Sequence, residues 1–203
     1  NNTADGVSAL QLTTTGSANT GLGRGAGYSN TTGNNNTFVG LFAGCANTTS
    51  SYNVGVGRYA LCGATGALNT AVGNRALVAN TASNNTGVGH AALCKNTSGT
   101  CNTALGTKSL YCNTTASHNT AVGICSLYYA TTGAKNTAVG SMAVRGTTTG
   151  CKNTGIGYQA MLFNTEGILN TASGAYALYA NTTADNNTAD GVSALQLTTT
   201  GSA

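Results

Sequence analysis

Short apolar stretches recur along the chain at a nearly constant interval and are separated by runs of small and polar residues. A typical stretch reads Asn-Thr-Ala-Val-Gly, then two variable residues, then Ala-Leu. Alignment on the first Asn gives twelve repeats. Each repeat is 17 residues long, as from Asn2 to Asn19, except for the two that begin at Asn53 and Asn69, which are one residue shorter. A helical hairpin repeat needs about twice that length. Each repeat is therefore predicted to be one coil of strands and bends, here called a rung.

Two columns of the alignment hold a single residue type in all twelve repeats, Asn at position one and Gly at position five. Stacked Asn side chains can pass hydrogen bonds from rung to rung, and Thr, which recurs at position thirteen, can do the same. A constant Gly predicts a bend with positive φ or a close approach of two backbones. The predicted Asn ladder comprises Asn2, Asn19, Asn36, Asn53, Asn69, Asn85, Asn102, Asn119, Asn136, Asn153, Asn170 and Asn187. The predicted bend glycines are Gly6, Gly23, Gly40, Gly57, Gly73, Gly89, Gly106, Gly123, Gly140, Gly157, Gly174 and Gly191.

The repeat predicts an all-β fold, a parallel β-solenoid (β-helix or β-roll) with 17-residue turns. A single rung buries too little apolar surface to be stable, whereas rungs stacked about 4.8 Å apart share one core and pair their strands. About twelve rungs make a rod roughly 55–60 Å long. Residues 1–203 are predicted to form a single continuous solenoid with uncapped ends.

The sequence is compatible with two assignments of which face of each strand is buried. Position four is aliphatic in nine repeats, and position three is Ala or Gly in all but one, where Phe38 stands. Because side chains alternate along a strand, positions two and four share one face and position three takes the other. We favour the assignment in which position four points inward. It leaves a flat outer surface of small residues that is suited to contact with another chain. In the alternative assignment, the small residues line a very thin interior.

The first and last eighteen residues of the sequence are identical, with NNTADGVSALQLTTTGSA at 1–18 and again at 186–203. Neighbouring repeats agree only at their fixed columns, so identity at the variable columns indicates a duplicated unit. Residues 2–186 are interpreted as one super-repeat of eleven turns, and residues 187–203 as the start of the next. Neither end resembles the polar cap that solenoids normally carry. We expect the array to continue, covalently or by stacking, into a filament.

Three segments, NTAVGNRALVANTASN, NTALGTKSLYCNTTASH and NTAVGICSLYYATTGAK, resemble the NTAVG-x-x-AL-x-x-NTTG repeats of bacterial and phage fibre proteins. They are similar, more loosely, to the head repeats of trimeric autotransporter adhesins. The resemblance covers the whole chain and implies a surface-exposed β-roll, often trimeric, that serves as a stalk, adhesin head or tail fibre. The adhesin-head repeat is shorter than this one, and the seven cysteines of the chain are unusual for such repeats.

The composition argues against several other functions. Charged residues make up 6% of the chain and the net charge of +4 is spread thinly, which is a weak footprint for nucleic acid. No apolar run approaches the ~20 residues of a membrane span. The four acids, Asp5, Glu166, Asp185 and Asp190, form no pair suited to acid–base catalysis. We expect no enzyme activity, no cofactor and no metal site, since the cysteines lack C-x-x-C spacing.

Cysteines occur at variable columns or beside them. Cys45 and Cys62 share position ten of adjacent rungs, so their Cα atoms should lie within the ~4.4–6.8 Å that a disulfide requires. Cys94 and Cys112 are the second candidate pair, one residue out of step on adjacent rungs. An odd count leaves at least one thiol over. A disulfide would indicate an oxidising, extracellular setting, and the alternative is that cysteine is only a small apolar surface residue.

Three functions are compatible with this solenoid. We favour a structural protein that forms a filament outside the cell or on a cell or virion surface, with itself as partner, end to end or laterally, including as a trimer. The first alternative is an adhesin head or tail-fibre shaft that binds surface glycans or receptors through variable columns. A Tyr stripe at position ten is one such column: Tyr28, Tyr111, Tyr128 and Tyr179. The second alternative is an ice-binding solenoid with a flat Thr array at positions twelve and fourteen.

Overall fold

The computed structural model describes residues 1–63 and 66–201, and there the chain forms one sheet of twelve parallel strands. Each strand has three residues and occupies positions two to four of its rung. The strands are β1 (Thr3–Asp5), β2 (Thr20–Leu22), β3 (Thr37–Val39), β4 (Val54–Val56), β5 (Thr70–Val72), β6 (Thr86–Val88), β7 (Thr103–Leu105), β8 (Thr120–Val122), β9 (Thr137–Val139), β10 (Thr154–Ile156), β11 (Thr171–Ser173) and β12 (Thr188–Asp190). Their order in the sheet is their order along the chain. Nowhere in the described residues does a helix occur that is long and apolar enough to cross a membrane.

The register between neighbouring strands is the same along the whole sheet. Thr70 pairs with Thr86 and Thr86 pairs with Thr103, so equal positions face each other across both a short and a full-length rung. Outside the strands, the bends also hydrogen-bond from rung to rung, as where the Leu77 N–H donates to the Ala92 carbonyl at 2.9 Å. This stacking confirms the all-β parallel solenoid, with about seventeen residues in each turn.

The core is a narrow seam of small and aliphatic side chains from positions three, eight and nine. Position three is buried from β2 to β12, as at Ala121, which is 0% exposed. It faces the small residue of position eight and the larger residue of position nine, such as Leu77 and Leu127, which are also 0% exposed. Position three therefore points inward and position four outward, so the favoured assignment of position four to the interior is wrong.

The interior is too thin for a branched side chain at position three. At Gly87, an added Cβ would lie 3.2 Å from the Leu77 Cγ and 3.4 Å from the Ala92 carbonyl oxygen, so the two walls already touch. A Val in this column would need more space than the packed interior has. The thin interior lined by small residues, which was the alternative assignment, is the arrangement that the structure has.

Phe38 occupies position three because two neighbouring glycines make room for its ring. The side chain is 0% exposed. A Cβ added to Gly27 would lie 3.0 Å from the Phe38 Cδ2, and one added to Gly44 would clash with the same ring. Both glycines stand at position nine, where most rungs have Leu. One aromatic ring therefore takes the volume of two absent leucine side chains.

Three further positions in most rungs adopt a positive φ without glycine, namely positions seven, nine and seventeen. In the seventh rung these are Lys108, Leu110 and His118, with φ angles of 54°, 48° and 62°. Left-handed backbone costs roughly 1–2 kcal/mol for a residue with a Cβ. The bends offset this cost because they aim backbone groups at the next rung, as where the Lys108 N–H donates to the His90 carbonyl at 2.9 Å.

Candidate functional site

The glycine at position five has both features that its constancy predicts. Its φ angle lies between 116° and 136° in all twelve rungs. In the interior of the rod the next bend is also very close, since a Cβ added to Gly106 would lie 2.6 Å from the Gly123 carbonyl oxygen. Gly191, in the last rung, has a φ of 117° but nothing within 4 Å of an added Cβ. Stacking of the rungs, and not the bend alone, therefore excludes other residues from the interior positions.

The Asn column at position one forms a continuous ladder. In all eleven steps the backbone N–H of one Asn donates to the side-chain Oδ1 of the Asn one rung before, at 2.8–3.0 Å. The Asn85 N–H reaches Asn69 Oδ1 at 2.9 Å, and the Asn102 N–H reaches Asn85 Oδ1 at 3.0 Å. From Asn19 onward these side chains are buried. The predicted ladder is confirmed, with the backbone amide as its main donor.

A second Asn ladder lies at position twelve, which the repeat alignment did not predict. Its side chains bond directly to each other, with Asn96 Nδ2 donating to Asn80 Oδ1 at 2.6 Å and Asn113 Nδ2 donating to Asn96 Oδ1 at 2.6 Å. The recurrence of Asn in this column was the available signal, but the column also holds Ala and Thr. The buried members are Asn30, Asn47, Asn80, Asn96, Asn113, Asn164 and Asn181.

The two Asn ladders meet at the carbonyl of position fifteen. In the seventh rung, Asn102 Nδ2 and Asn113 Nδ2 both donate to the Ala116 carbonyl oxygen, at 2.8 and 3.1 Å. The same pair of bonds recurs in six other rungs, with the acceptor at position fourteen, Ala82, in the short fifth rung. These shared bonds satisfy the buried amides, which would otherwise cost more than about 1 kcal/mol each. They also tie each bend to a single register.

The second ladder is interrupted where position twelve is not Asn. The Oδ1 atoms of Asn113 and Asn181 are buried and have no donor in the part of the chain that the structure describes. The next rungs place Ala130 and Thr198 at this position. A buried acceptor without a donor costs about 1–3 kcal/mol. The interruptions are therefore weak points in the interior.

The Thr column at position thirteen forms a third ladder. Thr97 Oγ1 donates to the Thr114 carbonyl at 2.9 Å, and Thr114 Oγ1 donates to the Thr131 carbonyl at 3.2 Å. The hydroxyls thus bond to the backbone of the next rung and not to each other. This confirms the predicted Thr contribution, with the carbonyl as acceptor.

Position four forms a row of aliphatic side chains along the outside of the sheet, here called the outer strip. Leu105 and Ile156 in this row are 47% and 46% exposed. The row begins and ends at polar positions, with Asp5 in the first rung and Ser173 and Asp190 in the last two. Its nine members are Leu22, Val39, Val56, Val72, Val88, Leu105, Val122, Val139 and Ile156. These side chains form a continuous apolar row rather than a scatter of single exposed residues.

The candidate pair Cys45 and Cys62 is adjacent, with the two Sγ atoms 2.6 Å apart. A hydrogen bond from the Cys45 thiol lowers the pKa of Cys62 to about 7. The same hydrogen bond, with burial, raises the pKa of Cys45 above its ordinary value. The pair therefore shares one proton near neutral pH, and Cys62 is the better nucleophile. Both residues are free thiols here, so their disulfide stays a prediction.

The second candidate pair, Cys94 and Cys112, is less reactive. Burial raises the pKa of both thiols. The charge of a Cys112 thiolate also raises the pKa of Cys94. Their disulfide likewise stays a prediction. In the described residues, no three His, Cys, Asp or Glu side chains come together in a geometry that could hold a metal ion.

Aromatic side chains at positions six, seven, ten and eleven contact one another along the rod, and some of the rings lie under a cation. The rings of Tyr111 and Tyr128 are parallel within 12°, with centroids 5.2 Å apart. Lys95 Nζ lies 5.2 Å from the Tyr111 ring centre, and Arg145 Cζ lies 5.5 Å from that of Tyr128. Such contacts stabilise adjacent rungs, since stacked rings and cation–π pairs each contribute about 0.5–1.5 kcal/mol.

The Thr array of the ice-binding alternative is narrower than expected. Position twelve lies inside the rod, as the buried Asn30 and Thr147 show, so that column cannot face ice. Position fourteen remains on the outside, with Thr115 and Thr132 exposed.

Comparison of the chain with protein-family models, with curated proteins and with solved structures returns no match. The resemblance to fibre proteins and adhesin heads therefore stays a prediction.

Proposed function

We propose that the chain is a building unit of an extracellular structural filament, in which the solenoid of one unit continues into the next. The observation that carries this proposal is the unbroken register of the sheet from β1 to β12. A rod in which every rung repeats the edge of the previous one has no intrinsic stop. The two Asn ladders make it stiff because each rung is fixed to the next by buried hydrogen bonds. The interpretation of residues 2–186 as one super-repeat is a part of this proposal.

The two edges of the rod carry complementary backbone groups. Inside the rod, the Thr171 N–H donates to the Asn187 carbonyl at 2.8 Å, and the Gly191 N–H donates to the Ser173 carbonyl at 2.7 Å. At the last rung, the equivalent donor is the Thr188 N–H, which has no acceptor in the described residues. In a second copy, the Asn2 carbonyl of the first rung stands where this donor would find its acceptor. End-to-end stacking therefore reproduces the bonds that already join the rungs.

A cost of this stacking is the meeting of Asp190 with Asp5 of the next copy, since both stand at position four. Like charges on adjacent strands repel, and the repulsion is screened by salt. We expect purified chain to form longer filaments at high salt than at low salt, and the D190N variant to lose most of this dependence. Filament length is read by negative-stain electron microscopy.

The T188P variant tests the end contact directly. Proline removes the donor at the open edge but breaks no bond inside the rod, because the Thr188 N–H has no acceptor among the described residues. The T188V variant keeps the donor and is the matched control. We expect T188P to remain folded by circular dichroism and to sediment as single units, while T188V assembles like the parent. Equal assembly of both variants would refute the end-to-end proposal.

The same proposal assigns the outer strip to lateral contact with a second copy. The strip is free of charge over nine rungs, so an equal strip from another copy can lie along it. We expect L105K, which puts a charge in the strip, to narrow the filaments or prevent bundling. L68K is the control, since Leu68 is 56% exposed but stands at the last position of its rung. Unchanged width in L105K would exclude the strip as the lateral surface.

A further inference from the structure

An open cavity of about 350 Å³ lies between the fourth and fifth rungs, away from the outer strip. It is lined by Arg58, Tyr59, Asn74, Arg75 and Val78. The two arginines stand on neighbouring bends, joined by the hydrogen bond from the Arg75 N–H to the Arg58 carbonyl at 2.9 Å. Both arginine side chains are exposed. The cavity is therefore an opening on the surface with two guanidinium groups at its rim.

The residue that position ten contributes to the cavity is Val78, and not an aromatic ring. Tyr occupies this position in four other rungs, whereas Val78 lies between Cys62 and Cys94. These small side chains leave space where a ring would otherwise cover the bends. The charged rim and the open floor thus come from different columns of the repeat, so their coincidence is specific to this part of the rod.

No carboxylate is near enough to neutralise the two arginines. The acids closest along the rod are Asp5, in the first rung, and Glu166, in the tenth. At about 4.8 Å for each rung, Asp5 is roughly 14 Å from Arg58 along the axis, beyond the range of an ion pair. Lys95 and Lys108 follow in the sixth and seventh rungs. Each of the two rungs that follow the cavity therefore carries one lysine, at position eleven for Lys95 and at position seven for Lys108.

We propose that this cavity binds an acidic group of a linear polysaccharide, with the chain of sugars running along the rod towards Lys95 and Lys108. A guanidinium binds carboxylate or sulfate oxygens through paired N–H donors, and two guanidiniums one rung apart can clamp one such group. The Asn74 amide at the same cavity can bond to sugar hydroxyls. A row of cations with one-rung spacing selects a polymer that carries repeated negative charge.

Nucleic acid fits this face less well because the aromatic rings are already covered. Arg58 Cζ lies 5.0 Å from the centre of the Tyr59 ring, which also stacks with Phe42 at 5.7 Å between ring centres. Tyr111 is covered in the same way by Lys95 and by a neighbouring ring. Proteins that bind single strands depend on free aromatic faces for the bases. The charged groups, and not the rings, are what this cavity offers.

Titration calorimetry with four probes tests the proposal. The probes are a heparin decasaccharide, a decagalacturonate, a neutral maltodextrin of equal length and a thymidine decanucleotide. We expect one or both acidic saccharides to bind, which tells sulfate from carboxylate, while the neutral saccharide shows no binding. Tighter binding of the decanucleotide than of both acidic saccharides would overturn the proposal, as would the absence of binding by either saccharide.

Two sets of variants locate the binding. R58Q together with R75Q should weaken saccharide binding by about tenfold or more, since each lost guanidinium removes charge-assisted hydrogen bonds. K135Q together with K152Q removes the same charge at position seventeen and should change binding by less than about twofold. Equal losses in the two pairs would overturn the proposal in favour of general charge attraction.

The V78Y variant keeps every charge but restores a ring to position ten, so it should fill the cavity and reduce binding as strongly as the arginine pair. Unchanged binding in V78Y would place the ligand elsewhere. Because the fold tolerates Tyr in this column at other rungs, an intact circular dichroism spectrum is expected. Filament formation should be unaffected by all of these variants, so failure here is distinguishable from failure of the filament proposal.

Discussion

Replacing Ala130 with Asn should stabilise the chain, because it completes the second Asn ladder where the sequence interrupts it. Ala130 is 0% exposed and stands one rung beyond Asn113, whose buried Oδ1 has no donor in the described residues. The new amide would donate to this oxygen and to the Gly133 carbonyl, which already accepts from Asn119 at 2.9 Å. Its own oxygen would accept from the Thr147 hydroxyl in the following rung. The column accommodates Asn in seven other rungs, so steric fit is expected.

The size of the effect follows from the two bonds gained. Relief of the unpaired acceptor is worth about 1–3 kcal/mol, the bond to the Gly133 carbonyl adds about 1 kcal/mol, and ordering the Asn side chain costs about 1 kcal/mol. We expect the free energy of unfolding in urea to rise by about 1–3 kcal/mol. For a chain of this length, that raises Tm by about 2–12 °C.

Two controls make this prediction refutable. A130V adds similar volume without an amide and should give no gain, because it supplies no donor for the Asn113 oxygen. In a background with Asn113→Ala, the acceptor is absent, so A130N should recover less than half of its effect. Stabilisation by A130V equal to that by A130N, or an undiminished gain in the N113A background, would show that hydrogen bonding is not the cause.

Other predictions follow from the bends, the core and the thiols. G106A should lower the free energy of unfolding by about 2–5 kcal/mol, whereas G191A should lower it by only about 1–2 kcal/mol. Both positions need a positive φ, but only at Gly106 would the added Cβ meet a neighbouring backbone. Urea titration measures both losses, and equal losses would contradict the close approach at Gly106. F38A should cost about 3–5 kcal/mol through the cavity it leaves, again by urea titration, and a loss below about 1 kcal/mol would contradict the packing of its ring. Alkylation of Cys62 by iodoacetamide, followed by mass spectrometry, should show a half-point near pH 7 that moves towards pH 9 in C45S, and no movement would deny the shared proton. The pKa of Cys62 is lower in the folded protein than in the unfolded chain, so the folded state gains stability as the pH rises from about 7 to 9. We therefore expect the free energy of unfolding of the reduced protein to rise over that range relative to C62S. A decrease relative to C62S would contradict the lowered pKa of Cys62.

The period of the sequence determined the architecture. A rung of 17 residues with constant Asn and Gly columns is too short to hold a helical hairpin. Rungs this short share a core by stacking on one another. The period also predicted which residues stand in file, so the ladder from Asn69 through Asn85 to Asn102 was accessible without a structure. Residues in one column of a solenoid must be neighbours, whatever the shape of the rung.

Only the tertiary structure decided which side of each strand is buried. Alternation leaves two choices of equal pattern, and hydrophobicity alone favours Val122 over Ala121 for the interior. The choice depends on the distance between opposite walls, which is so short that a Cβ on Gly87 already touches Leu77. That distance depends on how the bends bring the two walls of a rung together. The sequence does not indicate the positive φ angles of positions seven, nine and seventeen, because most of these residues are not glycine. Burial of the second Asn ladder also depends on the tertiary structure. Those side-chain amides can be buried at low cost only because the fold places the carbonyl of position fifteen within hydrogen-bond distance.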